Sequence, residues 1–183
     1  RSTYKLLGGS IGFYGSTLNT RQYATKGYLE KLIAQVFTGR ERFEPGNPQE
    51  GYSPSPQERQ SWLQISYMKE AYHTMGPKFT LGWMAEALYS SKNFSENYTA
   101  TMMQAGEFAP TPHSKLMYNE AFRANQYVAA GIKPIYVLND MFQFRTEFYG
   151  FTPIFPIKKN ALNKAYYGKA FSRFEYMGEV SVI

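Results

Sequence analysis

At 183 residues, with 43% hydrophobic and 19% charged side chains, the chain has material for one ordinary domain. The absence of Cys excludes disulfide scaffolds, thiolate metal sites and cysteine nucleophiles, and two widely separated histidines, His73 and His113, argue against a zinc site, so neither metal nor cofactor is expected. The net charge of +6 comes from Lys and Arg scattered along the chain apart from the pair Lys158-Lys159, which gives no reason to expect a nucleic-acid partner.

The dominant period is two, the period of a β-strand. From Thr3 to Thr17 a Gly-rich strand is expected, with Leu7, Ile11 and Phe13 on one face and Tyr4, Ser10 and Tyr14 on the other. Asn19 to Gly27 reads as a turn, and a second strand follows from Tyr28 to Thr38, with Tyr28, Leu32, Ala34 and Val36 facing away from Lys31 and Gln35. Glu30 breaks that pattern. Gly39 to Gln60, rich in Pro and Gly, reads as a long exposed loop. A third strand, Trp62 to His73, connects through Met75, Gly76 and Pro77 to a fourth, in which Phe79, Leu81, Trp83, Ala85, Ala87 and Tyr89 alternate with Thr80, Gly82, Met84 and Glu86. Ser90 to Asn125 is a second long connection. A fifth strand, Tyr127 to Leu138, turns at Asn139-Asp140 into a sixth, where Phe142, Phe144, Thr146 and Phe148 alternate with Gln143, Arg145, Glu147 and Tyr149. A third long connection, Thr152 to Lys169, precedes a seventh strand with Phe174, Tyr176, Val180 and Val182 opposite Arg173, Glu175, Glu179 and Ser181.

Two regularities set the expected class, which is all-β and antiparallel. Short and long connections alternate, so the long ones gather at one end of the strands. Each strand runs about ten residues or more, with one apolar, aromatic-edged face and one polar face, which is the pattern of an up-and-down transmembrane β-barrel with lipid outside and water inside. Aromatic residues make up 17% of the chain while mean hydropathy stays at −0.46, as such alternation requires. No run of about 18 apolar residues exists, since Tyr127 to Leu138 is broken by Lys133 and Pro134, and this excludes a spanning helix but not a spanning barrel. The competing arrangement is a soluble antiparallel sandwich that binds a ligand through its loops, its polar face simply turned outward.

Gly8-Gly9-Ser10-Ile11-Gly12 matches the G-x-S-x-G nucleophile elbow. That elbow needs a sharp strand-to-helix turn, whereas Phe13-Tyr14-Gly15-Ser16-Thr17 continues a strand. Asp140 is the single Asp and neither His has a motif around it, so no catalytic constellation is expected in this chain. Glu70, Glu86, Glu175 and Glu179 read as members of charge ladders with Lys31, Lys69, Arg145 or Arg173 on polar faces. Asn93-Phe94-Ser95 and Asn97-Tyr98-Thr99 have the pattern of glycosylation sequons, and Met102-Met103 reads as loop packing.

The segment from Thr17 to Gly27, Thr-Leu-Asn-Thr-Arg-Gln-Tyr-Ala-Thr-Lys-Gly, resembles the turn motif of BamA/TamA-like outer-membrane barrels, with Ala24 where that motif carries Pro. Gly82-Trp83-Met84-Ala85-Glu86-Ala87, Pro110-Thr111-Pro112-His113-Ser114-Lys115, the run Phe122 to Gly131 and Tyr167-Gly168-Lys169-Ala170 together resemble the C-terminal barrel of patatin-like phospholipases of Bacteroidetes-type bacteria. The resemblance covers essentially the whole chain. It implies about seven strands, the eighth to fourteenth, of a barrel of about sixteen. It also implies that Phe122-Arg123-Ala124 stands where related barrels carry Val-Arg-Gly-Phe/Tyr in a long loop entering the lumen, with Glu147 the expected partner of Arg123. Ala124 and Asn125 depart from that motif.

The resulting expectation is an internal portion of one outer-membrane barrel domain. Arg1 opens directly into a strand without a signal peptide, and Val182-Ile183 end in mid-strand without a terminal aromatic. The segment would anchor or present a lipid acyl hydrolase whose catalytic domain lies elsewhere, a barrel for outer-membrane protein assembly or translocation being the alternative. Leu81, Trp83, Phe142, Phe144, Phe148 and Tyr176 are expected to face lipid. The expected partners are outer-membrane lipid, the remaining strands and upstream domains of the same protein and, as one compatible assembly, a second copy.

Overall fold

The computed structural model describes residues 2–44, 59–139 and 142–183. Most of the expected loop between the second and third strands, and Asp140 of the expected turn, lie outside the described residues. Seven long strands form one antiparallel meander: β1 (Ser2–Ser16), β2 (Gly27–Phe43), β3 (Arg59–Thr74), β4 (Phe79–Ser90), β7 (Gln126–Val137), β8 (Gln143–Pro153) and β11 (Glu175–Val182). They pair in the order β1-β2-β3-β4-β7-β8-β11, so each long strand neighbours the next one in the chain. Between β4 and β7 lie a short helix, α1 (Tyr98–Gln104), and the two-residue strands β5 (Gly106–Glu107) and β6 (Arg123–Ala124). Between β8 and β11 lies a small hairpin of β9 (Ile157–Lys159) and β10 (Ala165–Tyr167).

The meander matches the expected strands, and the connections alternate as the spacing requires. β1–β2, β3–β4 and β7–β8 are joined by the shorter segments at one end, while the segments after β2, β4 and β8 all leave from the other. The expected loop from Gly39 to Gln60 is shorter than its composition suggests, because β2 runs to Phe43 and β3 begins at Arg59. There Gly39 pairs with Leu6 on one side and Gln60 on the other, and the ladder continues through residues whose propensities favour a turn.

Register carries the face assignment across the whole sheet. Ser16, Leu29, Glu70, Met84, Gly131, Tyr149 and Met177 stand opposite one another in turn. Because side chains alternate along a strand, that line marks one face, which also carries Lys133, Arg145 and Glu147. The other face carries Leu7, Ile11, Phe13, Leu32, Val36, Trp83, Ile132, Phe144, Phe148, Tyr176 and Val180.

Burial is the reverse of a soluble sheet. On the polar face Arg145 is 2% exposed, Lys133 4% and Glu147 7%, whereas on the apolar face Ile11 is 77% exposed, Phe148 55% and Tyr176 82%. Two stretches cover the polar face: at one end the turn between β1 and β2, whose Ala24 meets Arg145, and toward the other the segment between β4 and β7. Its Phe108 and Phe122 join Met84, Leu88, Tyr127, Tyr149 and Phe151 in the main buried cluster. β1 and β11 are the two edges of the sheet and do not pair with each other, so the described residues form an open sheet and not a closed barrel.

Candidate functional site: the covered polar face

The turn from Thr17 to Lys26 closes one end of this face. Asn19 organises it, its Oδ1 accepting from the Thr25 and Lys26 amides at 3.0 and 3.2 Å and its Nδ2 donating to Thr25 Oγ1 at 3.0 Å. Gly27 follows with φ +91°, and a Cβ there would stand 2.2 Å from the Thr17 carbonyl oxygen, so only glycine fits. The turn presents the Ala24 carbonyl to Arg145, whose Nη1 donates to it at 3.0 Å.

Behind the turn lies a network spanning β3, β7 and β8. Lys133 Nζ donates to Glu70 at 2.9 Å, Arg145 Nη2 donates to the Tyr72 hydroxyl at 2.8 Å, and Arg145 Nε pairs with Glu147. The Tyr72 hydroxyl donates to Glu70, and that of Tyr149 to Glu147. The two carboxylates and two cations balance, which is the condition under which buried charges are tolerated. Lys133 also lies 5.9 Å from the Tyr72 ring centroid and 5.8 Å from that of Tyr149. The network bridges strands that are not neighbours because β4 contributes Gly82 between β3 and β7. A Cβ there would meet the Tyr72 ring at 2.6 Å and Lys133 Cβ at 3.1 Å.

The covering segment is built around α1, which Asn97 caps by accepting from the Ala100 amide at 2.7 Å. Arg123 holds the other end of that helix, its Nη1 reaching the carbonyls of Met102, Met103 and Ala105 at 3.2–3.4 Å while its Nη2 donates to Glu107 at 2.7 Å. Arg123 therefore does not pair with Glu147. Glu107 lies directly opposite Arg123 in the β5–β6 ladder, and Glu147 is taken by Arg145 and Tyr149 on its own strand.

Several contacts dock the segment to the sheet. The Phe108 ring sits 5.9 Å from Phe151, 6.0 Å from Tyr149 and 6.2 Å from Tyr127. His113 Nδ1 lies 2.8 Å from Glu179 on β11. Arg173, just before β11, donates to the Ala121 carbonyl at 2.6 Å and pairs with Glu175 at 2.7 Å. Between the turn and the tip of the segment remains a chamber of about 530 Å³ lined on both sides by charge, including Lys31, Glu86, Lys115 and Glu179.

Other expected ladder partners are partly as read. Glu175 does pair with Arg173, but Glu70 takes Lys133, Glu86 accepts from the Tyr127 hydroxyl at 2.5 Å, and Lys69 pairs with Glu30 on the opposite face at 3.7 Å. Met102 is buried against Ala105 and Ile157, while Met103 is exposed. Ser10 lies in mid-strand opposite Gln35, with no helix following it. Sequence reasoning missed α1 and the cap made by Arg123. The usable signal for the helix was Asn97, a good N-cap residue, followed by Tyr-Thr-Ala-Thr-Met-Met-Gln.

Leu81, Trp83, Phe142, Phe144, Phe148 and Tyr176 all lie on the apolar face, directed away from this network. No family model, curated protein or solved structure matches the chain. The resemblance to patatin-like and BamA/TamA-like barrels accordingly rests on its motifs alone.

Proposed function

We propose that the chain is part of a transmembrane β-barrel of a bacterial outer membrane, with the segment between β4 and β7 as its internal plug. The observation that carries this reading is the inverted burial of the sheet. In water a contiguous apolar face of this extent would be covered by a second layer, whereas lipid is the environment in which exposing it is favourable. The polar face, by contrast, is filled with balanced charge and covered by its own loop, as the wet interior of a barrel allows. Six of the seven long strands, 11 to 17 residues long, have the reach to cross a bilayer. Among the described residues no helix is long and apolar enough to do so. The rival sandwich would bury the apolar face and turn Arg145 and Glu147 to solvent.

The motif resemblance extends the reading to a role: the barrel anchors a patatin-like lipid acyl hydrolase at the membrane and presents it to its substrate. Nothing in the covered polar face is needed for that chemistry, and the segment's contribution is mechanical. Fractionation of cells expressing the full-length protein tests the membrane reading. The protein is expected in the outer-membrane fraction, to require detergent for extraction and to migrate differently on electrophoresis with and without heating. A stable, detergent-free monomer would overturn it.

A further inference from the structure

On the apolar face, β7, β8 and β11 border a groove of about 570 Å³ lined by Ile132, Phe148, Gly150, Phe174, Tyr176 and Gly178 among others. Two glycines shape it. A Cβ on Gly150 would stand 2.9 Å from the Phe174 ring, so that ring lies over the bare strand. At Gly178 a Cβ would meet nothing closer than the Glu147 carbonyl oxygen at 3.5 Å and the Phe148 ring at 3.6 Å, so the floor there has room for added carbon. The groove lies toward the end of the sheet that carries the long connections, since Gly150 opposes Tyr176 near the end of β8 and the start of β11.

The connection leaving that end is strongly basic. Residues 154–174 include Lys158, Lys159, Lys164, Lys169 and Arg173 and contain no Asp or Glu. Arg173 is occupied by Glu175 and the Ala121 carbonyl, but the four lysines take part in none of the ion pairs among the described residues. Lys158 is folded against Gly168, where a Cβ would come 2.8 Å from its Cε, and Lys169 is the next residue. The connection thus carries its lysines without a carboxylate among residues 154–174. Lys169 is five residues before Phe174, a span of at most about 18 Å, so both lysines lie within a lipid's reach of the groove.

We infer that this groove and its lysines form a site for one anionic membrane lipid, with an acyl chain lying over Gly178 between Phe148 and Tyr176 and the phosphate held by Lys158 and Lys169. The inference rests on the membrane reading above. Hydrocarbon fills an apolar groove in any bilayer. The lysines of the basic connection leaving that end of the sheet supply the preference for a phosphorylated head group of net negative charge.

The test is native mass spectrometry of the full-length protein released from neutral detergent micelles containing dioleoylphosphatidylglycerol or dioleoylphosphatidylcholine, which share acyl chains and differ in net charge. The wild type should retain one phosphatidylglycerol about tenfold more strongly than phosphatidylcholine. The double variant Lys158→Gln/Lys169→Gln should lose that preference without a change in heat stability, and Gly178→Leu should lower retention of both lipids. Inorganic phosphate should not displace the bound lipid. Equal retention of phosphatidylglycerol by the wild type and both variants, or displacement by inorganic phosphate, would overturn the lipid site. If the wild type needs micelles yet shows no preference, the site alone fails. If it is a stable monomer without them, the membrane reading fails too.

Discussion

Lys133, Glu70, Arg145 and Glu147 pair with one another and with Tyr72 and Tyr149, Arg145 also donating to the Ala24 carbonyl, so removing a single member leaves a buried charge without its ionic partner. Lys133→Met should therefore cost about 3–5 kcal/mol, read as a lower unfolding temperature in detergent, while adding Glu70→Leu should recover much of it. Equal loss in the single and double variants would show that the pair is not what holds these strands together. Lys92, in the connection after β4, gives a second prediction. It is buried with its ammonium 4.8 Å from the Trp62 ring centroid and 5.7 Å from that of Tyr4. Burial lowers it from 10.5 to about 8, partly opposed by the Glu41 carboxylate. Because the folded value lies below the unfolded one, the unfolded chain binds more protons between about pH 8 and 10.5, and folding stability contributed here rises with pH across that window. Lys92→Met should abolish that rise and increase stability below pH 8, as followed by proteolysis of the connection at a series of pH values. A persistent rise in the variant would assign it to another group. At this scale the sequence was least informative. The partner of Arg123 depended on a β5–β6 ladder of two residues per strand and on a seven-residue helix, both too short to leave a periodic signal.

The strands themselves were legible because each has one environment per face. Phe79 to Tyr89 and Phe142 to Tyr149 keep every charged side chain on one face, with Met84 and Leu88 the apolar residues that join it, and register then forces the neighbours into line. What escaped were the ends of β2 and β3, where pairing outweighs the turn-forming composition near Gly39, and the structure within the long connections. The plug is held by contacts distant in sequence, above all the packing of Phe108 on Tyr127, Tyr149 and Phe151, which no local pattern encodes. Phe108→Ala should release it at a cost of about 3–5 kcal/mol, because the ring fills the centre of the main buried cluster. The measurement is the rate of cleavage between residues 91 and 125 by an added protease, with the strands remaining intact. Unchanged protection would mean that the His113–Glu179 and Arg173–Ala121 contacts suffice to hold the plug.

Across the molecule, the two faces of one sheet have exchanged the roles they hold in a soluble protein, and the edges β1 and β11 remain available for further strands. Placed in a bilayer, the apolar face should resist charge according to depth. Phe148→Arg, in the middle of β8, is expected to cost about 2–4 kcal/mol, and Phe144→Arg, near its turn end, about 1 kcal/mol or less, measured by chemical unfolding from vesicles. Equal and small costs would contradict a lipid-facing surface. The most direct measurement uses the absence of Cys in this chain. Single cysteines introduced in turn from 143 to 149 in the full-length protein, spin-labelled and reconstituted into vesicles, report collision with oxygen dissolved in lipid and with a water-soluble nickel chelate. Positions 144, 146 and 148 should collide with oxygen and exclude the chelate, while 143, 145, 147 and 149 should show restricted motion and little access to lipid-dissolved oxygen. An alternation of opposite phase, or free access of the chelate at 144, 146 and 148, would contradict a barrel wall.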